Sequence, residues 1–373
     1  MRDLLHVARR IDDATPASRD RAIDTLRALA IAGVVMGHWL VTAVTTTDSG
    51  ALRGASPLTH LPQLAPVSWI FQTLAVFFLV GGHSTAGSWE RSKARGIGYR
   101  TWAAIRIQRL TRPVAGLLFL WALASVGLLA GGVRAQTLST LLKLVLSPLW
   151  FLLVYIALTA ATPLIARLNP LWPLAVVLHV DLIRFGFGGP GWIGWANVAA
   201  GWMVPYCLGT AWARGAFTRR RTVLAMVLGG GVATAALLLW GGYPASMVGV
   251  PGASISNLSP PTLAAVTFGI TQCGLALLLR EPLRHAMRRP VLWAGVALVN
   301  LSALTIFLWH QTAMLIITSL GTTVGTLPGL GTPPDSTVWI AERIVWIPAF
   351  ALALAACWAA FRSLERGGRS KTA

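Results

Sequence analysis

Long apolar runs alternate with short polar breaks along the whole chain. Ten such runs stand out, at roughly 24–45, 67–89, 113–132, 147–166, 171–185, 195–212, 223–242, 263–279, 292–319 and 338–361. Most reach the ~20 residues a helix needs to cross a bilayer. The fifth, with "PLAVVLHVDLIR", is the shortest and most polar. The breaks carry turn chemistry: Asn169-Pro170, Gly189-Pro190-Gly191, Pro260-Pro261 and Pro333-Pro334. The pattern predicts an all-α polytopic membrane bundle of about ten transmembrane helices. A single membrane domain over 24–361 is flanked by basic tails at 1–23 and 362–373. The longest hydrophilic connection, Glu90 to Arg112, has 23 residues, too few for a soluble domain.

Composition agrees. The chain has 373 residues, 55% hydrophobic and only 12% charged. A soluble domain carries about 25% charge. The net charge of +19 does not point to nucleic acid, because the basic residues fall in short clusters between apolar runs. With the N-terminus inside, the inner segments hold 25 Lys and Arg and the outer ones four, while Arg27 and Arg343 lie at or within spans. That bias places both termini in the cytoplasm and favours an even number of spans in the cytoplasmic membrane. The polar start of the chain is longer than a signal peptide's positive region, so the first span is expected to be retained. Cys207, Cys273 and Cys357 read as small buried residues.

Chemistry enters with "RALAIAGVVMGHWL" in the first span. At about 100° per residue, the eleven-residue step from Arg27 to His38 falls about 20° past three full turns and rises about 16 Å. Both side chains therefore share one face, with the arginine near the cytosol and the histidine beyond the midplane. Asp24 can pair with Arg27. A snorkelling interfacial arginine is the plainer reading of Arg27. An ionisable group as deep as His38 usually faces a polar cavity, and imidazole is a natural general base. Arg106 and Arg109, three apart in "AAIRIQRLTRPV", sit where a cytoplasmic phosphate could be gripped. His310 in "IFLWHQTAM" lies at a depth like that of His38, so the two can line one cavity. His83 in "FFLVGGHSTAG" is another intramembrane histidine. That segment fails the Gly-x-Ser-x-Gly pattern at Ala86, and its glycines suit close helix packing. His179, Asp181, Glu342 and Arg343 read as structural pairs near the outer surface. No carboxylate–histidine cluster has metal-ligand spacing.

Five motifs in order give a resemblance. "IDTLRALAIAGVVMGH", "FFLVGGH", "RIQRLTRP", "PLWFLLVY" and "FLWH" resemble those of the acyltransferase 3 family of integral membrane acyltransferases. The departures are Gly81 for the usual serine, His83 for an aromatic residue and Phe307 for a tyrosine. The resemblance implies transfer of an acyl group, acetyl in the first instance, from cytoplasmic acyl-CoA as co-substrate, with no bound cofactor. The acceptor would be a hydroxyl of an envelope glycan or a secreted metabolite. It further implies His38 as general base, or transient carrier of the acyl group, and Arg27 as donor-orienting. Arg106 and Arg109 would bind donor phosphates, and His310, His83 and Asp24 are possible cavity residues. A proton-coupled transporter or flippase is the competing class. No repeated half or paired broken helices speak for it.

Overall fold

The computed structural model describes residues 2–47 and 50–366. Most of the expected C-terminal tail, from residue 367 on, lies outside the described residues. The N-terminal segment is not a plain tail. α1 (Arg2–Asp13) is amphipathic and packs on a later helix, with Ala8 buried. α2 (Arg21–Val41) begins at Asp20, whose carboxylate accepts from the Ala22 amide at 3.1 Å. It stops four residues short of the expected end. The β-branched run that follows forms β1 (Ala43–Thr46), paired antiparallel with β2 (Leu52–Ala55). Val and Thr lose side-chain freedom in a helix and fit a pleated ribbon better.

Short turns α3 (Pro57–His60) and α4 (Ala65–Ser68) lead into α5 (Leu74–Ala94). α6 (Tyr99–Ala130) follows after only four residues. The expected 23-residue connection is thus mostly helix, because both apolar helices run on through their basic ends. Next come α7 (Ala135–Leu146), α8 (Leu149–Ile165), α9 (Leu171–Asp181), α10 (Ala196–Ala213) and α11 (Arg220–Trp240). The chain closes with α12 (Leu263–Leu278), α13 (Arg280–Ala286), α14 (Pro290–Leu301), α15 (Ala303–Val324), α16 (Thr337–Val345) and α17 (Ile347–Arg366).

Among the described residues, seven segments are long and apolar enough to cross a membrane: α2, α5 with the turns before it, α6, α7–α8, α11, α15 and α17. The pair α12–α13, bent by 46°, adds an eighth when it is counted as one span. Two of the ten expected spans do not join them. α9 has only 11 residues. α10 is buried along almost its whole length, so protein rather than lipid covers its Asn197, Gly201, Pro205, Gly209 and Thr210. The expected run 292–319 breaks at Ser302 into α14 and α15. The architecture is an all-α multi-pass bundle carrying one small β-hairpin.

Its centre is the crossing of α5 and α10. A Cβ on Gly82 would stand 2.2 Å from the Tyr206 carbonyl oxygen, and one on Gly209 would stand 2.0 Å from that of Leu79. Two glycines facing one another's backbone let the helices touch. Around this crossing lies an aromatic core of Phe78, Phe151, Trp202, Tyr206 and Phe307. α6 turns Phe119, Leu123 and Val126 outward, as a lipid-facing helix does.

Candidate active site

Arg27 sits where three helices meet. Its guanidinium donates to Ser84 Oγ on α5 at 2.7 Å, and to Asn300 Oδ1 on α14 and Asp24 Oδ1 at 3.3 Å each. Asp24 also accepts from Arg19, and its carbonyl accepts from the Asn300 amide at 2.7 Å. The arginine is therefore held on three sides rather than snorkelling freely.

It lines a cleft of about 180 Å³ together with Arg106, Arg109, Ser84, Tyr155, Thr159 and Asn300. The expected arginine pair is thus brought to Arg27 by α6. Glu365 of α17 closes one wall. Its carboxylate accepts from the Thr305 amide at 3.1 Å and the Thr305 hydroxyl at 2.6 Å, capping the first turn of α15. Three cations face one carboxylate across this cleft.

His38, at the other end of α2, lines a separate and larger chamber of about 630 Å³. Residues from the β-hairpin, the α7–α8 turn and the 248–259 loop wall it. His38 Nδ1 lies 2.5 Å from the Gln311 side-chain nitrogen on α15. The His310 ring stands edge-on to it, with 5.0 Å between centroids. His310 is fully buried and lines neither cavity. Its Nδ1 lies 2.6 Å from the Phe307 carbonyl, and its Nε2 has no hydrogen-bond partner. The expected shared cavity for the two histidines is therefore a ring contact inside the protein wall. His83 stands apart from both cavities, packed on Trp212 at 4.4 Å.

Arg27 and His38 serve two rooms at opposite ends of one helix. Phe151 and Phe307 line both rooms, and their rings touch with centroids 5.5 Å apart. This aromatic pair separates the arginine room from the histidine room.

A family model described as an acyltransferase domain, that of acyltransferase 3, matches residues 20–362. The chain belongs to the acyltransferase 3 family. No curated protein and no solved structure matches it.

This membrane acyltransferase departs from its family pattern for a visible reason. A Cβ on Gly81 would stand 2.5 Å from the Tyr155 ring, so the glycine makes room for the tyrosine that lines the arginine cleft. Sequence reasoning weighed Ser84 only as the serine of a failed Gly-x-Ser-x-Gly pattern and passed over Asn300, Gln311, Tyr155 and Glu365. Asn300 and Gln311 each carried a signal, being uncharged polar residues inside apolar runs. Arg343, expected in a pair, is fully buried. It donates to the Trp39, Thr42 and Gly329 carbonyls at 2.8, 2.9 and 3.0 Å. Trp39 in turn donates to the His310 carbonyl at 3.0 Å. The last turn of α2, which carries His38, is anchored by these bonds.

Proposed function

We propose that this acyltransferase moves an acyl group, acetyl in the first instance, from cytoplasmic acyl-CoA to a hydroxyl group, with His38 as general base. The supporting observation is the pairing of a three-arginine cleft with a histidine chamber at the two ends of α2. Arg106 and Arg109 hold the donor's phosphates, since guanidinium forks match phosphate oxygens. Arg27 orients the donor. The Phe151–Phe307 contact opens to let the thioester arm reach the chamber. There the acceptor oxygen attacks the thioester carbonyl, its proton goes to His38 Nε2, and the C–S bond breaks. The thiolate takes up a proton to leave as free CoA. A base at Nε2 requires the ring proton on Nδ1, with the Gln311 amide turned so that its oxygen accepts that proton.

Both termini lie in the cytoplasm in this reading, and the membrane is the cytoplasmic one, as the Lys and Arg bias favours. Labelled acetyl-CoA incubated with membranes tests it. His38→Ala should lower transfer by a factor of about 10² or more while the protein stays inserted. Arg106→Ala should raise the donor KM. Wild-type transfer by His38→Ala overturns the assignment. Proton-dependent solute uptake without any transfer would favour the transporter.

A further inference from the structure

The wall of the His38 chamber says what kind of acceptor it suits. Among the described lining residues there is no Asp, Glu, Lys or Arg, and His38 is the one titratable side chain. Val34, Val41, Leu74, Leu146, Trp150 and Phe151 make much of the surface. Of the polar side chains between them, Ser56, Ser68, Gln72 and Ser147 bond to the protein itself, which leaves Thr42, Ser259 and the Trp150 indole to meet a ligand. Ser68 Oγ donates to the Ala65 carbonyl at 2.6 Å, and Ser147 Oγ donates to that of Leu144 at 3.0 Å. Ser56 Oγ accepts from the Leu58 amide at 3.3 Å. Gln72 Nε2 donates to the Met247 carbonyl at 2.9 Å. A free sugar brings more hydroxyls than these few groups can pair, and each buried hydroxyl left unpaired loses a factor of about 10 in affinity. A charged acceptor meets no counter-charge. The charged lining residues belong to the arginine cleft, beyond Phe151 and Phe307, and the nearby Arg343 spends its donors on the Trp39, Thr42 and Gly329 carbonyls.

We infer that the chamber takes a neutral acceptor, one whose reacting hydroxyl sits on a mainly apolar skeleton. This rests on the proposed acyl transfer and selects a small metabolite over an envelope glycan. The volume of about 630 Å³ is that of an ordinary small-molecule site.

Binding and transfer can be read separately. The full chain in lipid nanodiscs is dialysed against three alcohols: 4-cyclohexylcyclohexanol, 4-hydroxycyclohexanecarboxylate and methyl glucoside. Empty nanodiscs give the background. The apolar alcohol should bind at least ten times more tightly than the other two. Ser147→Asp, which puts a carboxylate in the wall at an exposed position, should weaken that binding about tenfold, and Ser147→Ala should not. Equal or tighter binding of the carboxylate or the glucoside overturns the inference. So does indifference of the apolar alcohol to Ser147→Asp. Displacement of the alcohol by decanoyl-CoA but not by acetyl-CoA also overturns it, because the chamber would then house the donor's chain. Free CoA release is measured in the same samples. The expected order of binding with no release supports the ligand class and removes acyl transfer instead.

Discussion

His38 reaches its neighbours across more than 270 residues of chain. Gln311 is the side chain that fixes the orientation of its ring. Gln311→Leu should therefore lower kcat about 10-fold or more and leave the donor KM alone, as steady-state transfer kinetics would show. A merely structural role would instead appear as loss of folded protein. The eleven-residue step from Arg27 to His38 made their shared helix face legible, while their candidacy came from being ionisable groups at or within an apolar run. The aromatic contact across their path was not legible, since Phe307 and Phe151 read as ordinary core residues in apolar runs. Gln311 was also passed over, because a glutamine gains its meaning only from the partner that folding brings to it. His83 shows the opposite lesson. Depth in a span made it a candidate, but it packs on Trp212 instead.

α2 is pinned at both ends by guanidinium groups. At its start, Asp20 accepts from Arg280 at 2.9 Å and from Arg284 at 3.1 Å, joining the first turn to α13. Burial alone would raise the Asp20 carboxyl, but the two arginines hold it below its ordinary value of 3.8. A lowered folded-state pKa means stability that is present above the unfolded value and lost as pH falls through the folded one. The thermal midpoint should therefore be insensitive to this group above about pH 5 and fall at lower pH. Asp20→Ala, which also removes the helix cap, should cost about 1 kcal/mol near neutrality and flatten that acid limb, read in melts of the nanodisc-embedded protein. At the other end of α2, Arg343 grips backbone carbonyls. Helix boundaries of this kind were poorly legible: the first run was expected to continue through Thr45, and the hairpin formed there instead. The run at 195–212 was expected to face lipid as a span, but as α10 it is largely covered by neighbouring helices, its polar residues included.

At the scale of the molecule the bundle builds two rooms that meet at one aromatic contact. Filling that contact should separate them further. Phe307→Trp should suppress acyl transfer while acyl-CoA still protects the arginine cleft from arginine-modifying phenylglyoxal. Equal loss of both would place the defect in the cleft. The class of the fold and its arginine-to-histidine axis were written in the sequence, while the cavities were not, because empty space has no residue code. One consequence concerns the membrane rather than the reaction. In the proposed orientation, with the arginines toward the cytosol and the histidine chamber toward the outside, the Phe151–Phe307 contact would stand between two aqueous compartments at different electrical potential. The protein then has to act as an insulator between turnovers. Replacing both rings by alanine should make proteoliposomes leak protons, seen as faster decay of an imposed pH gradient, where the wild type holds it.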